Sequence, residues 1–237
     1  MRLLFFVPAA AALSLTLAGA PARAADAGHP LVIELFQSQG CSSCPPANAN
    51  LLAWAARDDV LALNFAVDYW DGLGWKDTFA KPEFTARQWA YARALGHAEV
   101  YTPQTIVNGQ ADVTGADAAE LAALAKRRDR GAGGPELSIE GGVARVGRGA
   151  SPAGGADVWL ARYDPTIRNV AVRRGENAGR LLPHVDIVVD LVRLGAWRGD
   201  AERFDLPGKS DARLRDAVIV QAAGAGPILA AVKESVE

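Results

Sequence analysis

The stretch that most constrains this chain is Gln39-Gly40-Cys41-Ser42-Ser43-Cys44-Pro45-Pro46. It follows an apolar, β-prone run over residues 31–36 and precedes an Ala- and Leu-rich run over 47–56 that reads as helix. Two cysteines therefore open a helix where a strand ends. Unpaired backbone N–H groups and the positive end of the helix dipole favour thiolate over thiol there, which makes Cys41 the candidate nucleophile. Cys44 lies about one turn further along, in reach to close a disulfide with Cys41 and to displace whatever Cys41 has attacked. Two plainer readings stand beside this redox centre. One is an inert disulfide, which across so short a loop restricts the unfolded chain little and contributes weakly to stability. The other is half a metal site, copper before zinc. The chain has no third cysteine, however, and only His29, His97 and His184, none in paired spacing, so neither metal nor cofactor is expected.

The first residues read as a targeting segment. Met1-Arg2 precedes an apolar run over 3–18 and then Ala22-Arg23-Ala24, which predicts a secretory signal over 1–24, cleaved after Ala24; an uncleaved anchor is the alternative, for which the run is short. The expected mature protein is exported, periplasmic or secreted, with no stable membrane anchor. In an oxidising compartment, chains that need staples scatter several cysteines, whereas this one spends its only two on a single Cys-x-x-Cys. The remaining chain, about 210 residues, suffices for one core or two smaller ones. With Arg2 and Arg23 removed, 23 basic residues face 27 acidic ones, which argues against nucleic acid and anionic membranes as partners.

Within the first strand Glu34 is the odd residue. A buried carboxyl below a dithiol has a raised pKa and suits the proton that Cys44 must lose; the alternative is a Glu34 facing solvent or paired with a Lys or Arg. Residues 60–67 read as a second buried strand, so the cysteines sit at the carboxyl edge of a strand-helix-strand unit, where sites collect in open α/β sheets. Asp68-Tyr69-Trp70-Asp71 leaves the second strand at the same edge and is followed by Trp75, Phe79 and Phe84. These aromatics form either an apolar groove beside the thiols or, more simply, a cover over the core, and Asp68 and Asp71 read first as turn or capping residues. Pro82 to Leu95 reads as helix with Gly96 past its end. Pro103, after Thr102, lacks an N–H and marks backbone left open beside the thiols. Asn108-Gly109 signals a tight hairpin, and 116–130 reads as an amphipathic closing helix.

Strand, Cys-x-x-Cys at a helix start, strand, then Thr-Pro, hairpin and closing helix resemble the thioredoxin fold. The resemblance implies a cis Thr102–Pro103 bond, Pro103 packed against the dithiol, and a Thr102 backbone that offers hydrogen bonds to a substrate peptide. It also puts Glu34 near that fold's buried acid, one residue further from the first cysteine. More narrowly, QGCSSCPPA over 39–47, VDYWD over 67–71, Gly74-Trp75-Lys76-Asp77 and Tyr101-Thr102-Pro103-Gln104 resemble a family of exported bacterial thioredoxin-like proteins catalogued as a domain of unknown function.

Residues 131–135, Gly-Ala-Gly-Gly-Pro, read as a linker. Beyond them come short strands over 136–140, 143–148, 157–163, 167–173, 185–194 and 217–221, with a helix expected only over 228–233. The expected fold class is thus a thioredoxin-like α/β domain over 25–130 with a helical insertion, followed by an all-β, sandwich-like domain over 136–237. Arg173, Arg174, Glu176, Asn177 and Arg180 cluster in a loop, read first as a solvated turn and alternatively as a rim facing the dithiol. His184 reads as a packing or surface histidine. The function expected is thiol-disulfide oxidoreduction. Cys41 and Cys44 exchange, Thr102 and Pro103 position a protein or small-molecule thiol or disulfide, Glu34 moves the proton, and an unidentified redox partner completes the cycle. The alternative is a binding module whose disulfide stays closed.

Overall fold

The computed structural model describes residues 24–234; the leader predicted over 1–24 lies outside them except for its last residue. In chain order come β1 (Leu31–Gln37), α1 (Pro45–Ala55), β2 (Val60–Ala66), α2 (Pro82–Leu95), β3 (Gln104–Val107), β4 (Ala111–Val113) and α3 (Ala118–Arg127). The second half contributes β5 (Leu137–Glu140), β6 (Val143–Val146), β7 (Ala156–Asp164), β8 (Arg168–Ala171), β9 (Leu181–His184), β10 (Ile187–Trp197), β11 (Glu202–Asp205), β12 (Arg215–Ala222) and β13 (Ile228–Lys233).

These strands correct the expected fold class. A thioredoxin-like α/β unit with a helical insertion, followed by a separate β-sandwich, is not what forms. One mixed sheet of eight strands, β13-β12-β7-β10-β2-β1-β3-β4, draws on both halves of the chain, with a three-stranded sheet β11-β6-β5 and the β8-β9 pair beside it. The join is at β2. It runs parallel to β1 from Leu31↔Val60 to Gln37↔Ala66, and its other edge takes up β10 at Ile187↔Asn64, where the Asn64 amide donates to Asp186 O at 2.9 Å. All seven β2 residues are buried because both edges are paired and both faces covered. An apolar run announces such burial without saying which strand supplies the second neighbour.

The two faces of the sheet hold different cores. Val32 and Phe36 of β1 pack with Leu61, Leu63 and Phe65, with Phe84 and Tyr91 of α2, and with Ala161, Val188, Ile219 and Ile228 from the second half. Leu31, Ile33 and Leu35 point the other way, onto Ala47 and Leu51 of α1 and Leu121 and Leu124 of α3. The period-two alternation of β1 thus assigns α1, which carries the cysteines at its start, to one face and α2 to the other.

Local signals act as the residues suggest in several places. Pro82 opens α2 and Gly96 ends it at φ +78°; Asn108 and Gly109, both at positive φ, turn β3 into β4; and Asp117 caps α3 by accepting from the amides of Ala119 and Glu120. The helix expected over 228–233 is instead β13. Its Ile-Leu-Ala-Ala-Val-Lys sequence is apolar on both sides, and the open edge of β12 takes it up antiparallel from Ala217↔Lys233.

Candidate functional site

The cysteines sit where β1 hands over to α1. Cys41 and Cys44 form a disulfide with Cα atoms 5.5 Å apart, and they are the chain's only cysteines. Pro45 and Pro46 occupy the first turn of α1 with Cys44 at its N-cap position. Both prolines lack an N–H, so this helix start offers fewer free donors to an anion than an ordinary one.

Thr102 and Pro103 are brought to the same place. The peptide bond between them is cis, Ser43 Oγ donates to Thr102 O at 3.4 Å, and the same hydroxyl lies 3.2 Å from Cys41 Sγ. Trp70 stands beside this pair, its Nε1 donating to Thr102 Oγ1 at 2.8 Å and its Cβ 3.5 Å from where a side chain at Gly40 would begin. Trp75 donates to Gln39 Oε1 at 2.9 Å. The aromatic segment after β2 therefore braces the dithiol loop as well as covering core. Asp68 accepts from Thr85 and Asp71 from the Asp77 amide, both holding turns. Asp77 accepts the Gln39 amide at 2.6 Å; burial, partly offset by the amides of Gln39 and Phe79, pushes its carboxyl up to about 6.

Glu34 is not with the thiols. Its side chain shares the α2 face of β1, where Arg87 Nε donates to it at 2.6 Å and the Tyr91 hydroxyl donates to its second oxygen. Its proposed part in taking the Cys44 proton is corrected by that orientation: α1 lies across the sheet and both carboxylate oxygens are occupied. Glu34 is the paired acid of the alternative reading.

The residues that sequence reasoning undervalued come from the loop between β8 and β9. Asn177, fully buried, donates from Nδ2 to Gln39 O at 2.9 Å and to Cys41 O at 2.8 Å. Glu176 accepts from both the amide (3.1 Å) and the hydroxyl (2.7 Å) of Ser42, bonds that hold its carboxyl below the ordinary range. Arg180 braces Asn177 through its side-chain oxygen at 2.7 Å. Gly175, at φ +75°, sits against the Leu73 carbonyl and the Trp75 side chain. Residues 173–180 thus form a strap across the dithiol loop, and Cys41 and Cys44 are 0 % and 1 % exposed. The signal in the sequence was the polar cluster itself, which does not reveal its partner 134 to 138 residues away.

His184 lies on β9, packed edge-on to Phe79 at 5.8 Å, and neither ring nitrogen has a partner. Burial alone pushes it down to about 4. The neutral ring is favoured in the fold, whereas the unfolded chain takes up a proton near the ordinary value of about 6.5. The stability it contributes is therefore complete above about 6.5 and is lost as pH falls toward 4, on the order of 3 kcal/mol. Asp77 and Asp186, raised to about 6 and about 7 chiefly by burial, slope the other way over the same range. Comparison with a His184→Phe variant isolates the histidine. Between pH 7.5 and 4.5, urea unfolding should show the variant gaining about 2 kcal/mol or more on the parent; parallel pH profiles would exclude this role.

Among the described residues, no group of three His, Cys, Asp or Glu side chains is placed to hold a metal ion. Sequence comparison matches residues 32–221 to a family described as "Protein of unknown function (DUF1223)". A crystal structure of an Agrobacterium tumefaciens protein is similar at 34 % identity and a TM-score of 0.70, over 87 % of this chain and 96 % of that one. A chain described as HBP35 of Porphyromonas gingivalis shares the fold at 16 % identity and a TM-score of 0.55, over 88 % of this chain and 76 % of its own. No curated protein matches.

Proposed function

This chain belongs to DUF1223, a family of proteins of unknown function, and from the disulfide at its strand-helix junction we propose that it is an exported thiol-disulfide oxidoreductase. The observation that carries the reading is the placement of the chain's only two cysteines, paired at the start of α1 with Thr102 and Pro103 alongside through Ser43. In one direction, a thiolate of the partner attacks Cys41 Sγ, the Cys41–Cys44 bond breaks, and its electron pair leaves on Cys44, which takes up a proton. A second partner thiol, giving up its proton, then attacks the partner sulfur of that mixed disulfide and releases Cys41. The partner is oxidised by two electrons to a disulfide, and this protein is reduced to the dithiol. The reverse sequence begins with Cys41 as nucleophile. Partners are a protein or small-molecule thiol or disulfide, and the exported setting rests on the leader read in the sequence.

Trapping tests the reading. Cys44→Ala removes the resolving thiol, so a mixed disulfide on Cys41 should accumulate and run as a reducible adduct, while Cys41→Ser should give none. Absence of any adduct, together with a parent disulfide that does not equilibrate with glutathione, would reject exchange. The burial of both cysteines favours a second reading, a binding module whose disulfide stays closed. In that case native protein treated with mild reductant and alkylating agent is labelled at neither cysteine.

A further inference from the structure

The strap brings a charge to Ser42, the residue next to Cys41, and we infer that Glu176 is a positioning residue that holds the Cys41–Cys44 centre toward its disulfide form by fixing a negative charge on Ser42, beside where a Cys41 thiolate would form. The inference rests on the redox reading above. Around Cys41 few backbone donors remain for an anion. Pro45 and Pro46 have no N–H, the Cys44 amide donates to Cys41 O at 3.2 Å, and the Cys41 amide donates to Ser38 O at 3.1 Å. The Ser42 amide and hydroxyl both go to one carboxylate oxygen of Glu176. A carboxylate thus already occupies the backbone N–H next to Cys41.

A thiolate at Cys41 must therefore form beside an existing negative charge, which raises the free energy of the reduced, ionised site relative to the disulfide. Other charges in the surroundings are Asp77 on the Gln39 amide with Asp71 behind it, Lys76 in the same segment, and Arg173, Arg174 and Arg180 on the strap. Glu176 is distinguished from these by its direct bonds to Ser42. Asn177 does a different job: its bonds to Gln39 O and Cys41 O tie the strap down without placing charge there.

The test uses the mature chain with Cys44→Ala, in which Cys41 is a single thiol and no reduction is needed. Adding Glu176→Gln keeps an acceptor oxygen for Ser42 and removes the charge. Thiolate absorbance followed against pH should show the Cys41 pKa lower by roughly one unit, with a smaller shift at high salt. With both cysteines present, Glu176→Gln should move the equilibrium with glutathione toward the dithiol by up to about tenfold. Asn177→Ala should instead speed alkylation of Cys41 at every pH with its pKa unchanged. Equal pKa values with and without Glu176→Gln would overturn the inference, and so would a Glu176→Gln effect of the Asn177 kind. A parent disulfide inert to glutathione would reject the redox reading alone, because the Cys44→Ala titration still decides the part played by Glu176.

Discussion

Replacing Arg87 with methionine should lower the free energy of unfolding by about 3–5 kcal/mol, measured by urea denaturation at neutral pH. Arg87 is buried on α2 and is the charge partner of Glu34. Its Nη2 also donates to the Tyr91 hydroxyl at 3.2 Å and Gln221 Oε1 at 3.3 Å, and Gln221 donates back to that hydroxyl at 3.0 Å. The guanidinium lies over Tyr91, Trp159 and Phe65 at 5.1, 5.6 and 5.8 Å. Methionine keeps most of the volume and removes the charge, leaving the Glu34 carboxylate with Tyr91 as its remaining partner. Most of the loss is thus the cost of an orphaned buried anion and not the net worth of the pair. The double variant Glu34→Leu/Arg87→Met should accordingly lose much less than the two single losses added together. Additive losses would show that the two side chains act independently. Because this network ties β1, α2 and β12 together, the measurement also reports on how the two halves of the chain are joined.

Gly134→Ala should cost about 3 kcal/mol or more, while Gly133→Ala should leave the unfolding midpoint unchanged or slightly raised. Gly134 has φ +106°, and a Cβ there would collide with the Leu229 carbonyl in β13, backbone that cannot swing aside. A left-handed conformation and overpacking against backbone each contribute about 1–3 kcal/mol. At Gly133 an added Cβ would meet the Arg130 carbonyl at an ordinary 3.6 Å. A freely hinged connection predicts equal, small effects at both positions, so the contrast is the informative result. Arg130 adds to the tie, donating to Pro30 O at 2.9 Å.

The cysteine pair at the strand-helix junction was legible because everything it needs locally is consecutive in the chain. An apolar strand, a Cys-x-x-Cys pair and a helix-forming run fix where two sulfurs meet and which end of a helix they occupy. The Asn108-Gly109 hairpin and the Pro82 and Gly96 ends of α2 were readable for the same reason, since each depends on the φ preferences of one or two residues. The two readings of Glu34 stayed open because alternation along β1 says that it faces opposite to Leu35, but not which helix covers which face, and the Arg87 pairing on the α2 side decided for the second. The polar loop around Asn177 was read first as solvated because its composition is that of a surface turn, and nothing nearby in sequence names the dithiol loop as its partner.

The sequence by itself determined the local features: a cysteine pair where a strand meets a helix, the Asn108-Gly109 hairpin, and the Pro82 and Gly96 ends of α2. Tertiary structure alone decided that β10 pairs with β2 to make one sheet of the two halves, that 228–233 is a strand, and that Glu176 and Asn177 lie across the cysteines. The physical reason is range. Torsional preferences and capping act over a few residues, whereas an open strand edge or an unfilled backbone carbonyl can be satisfied by any segment that folding delivers to it, however distant along the chain.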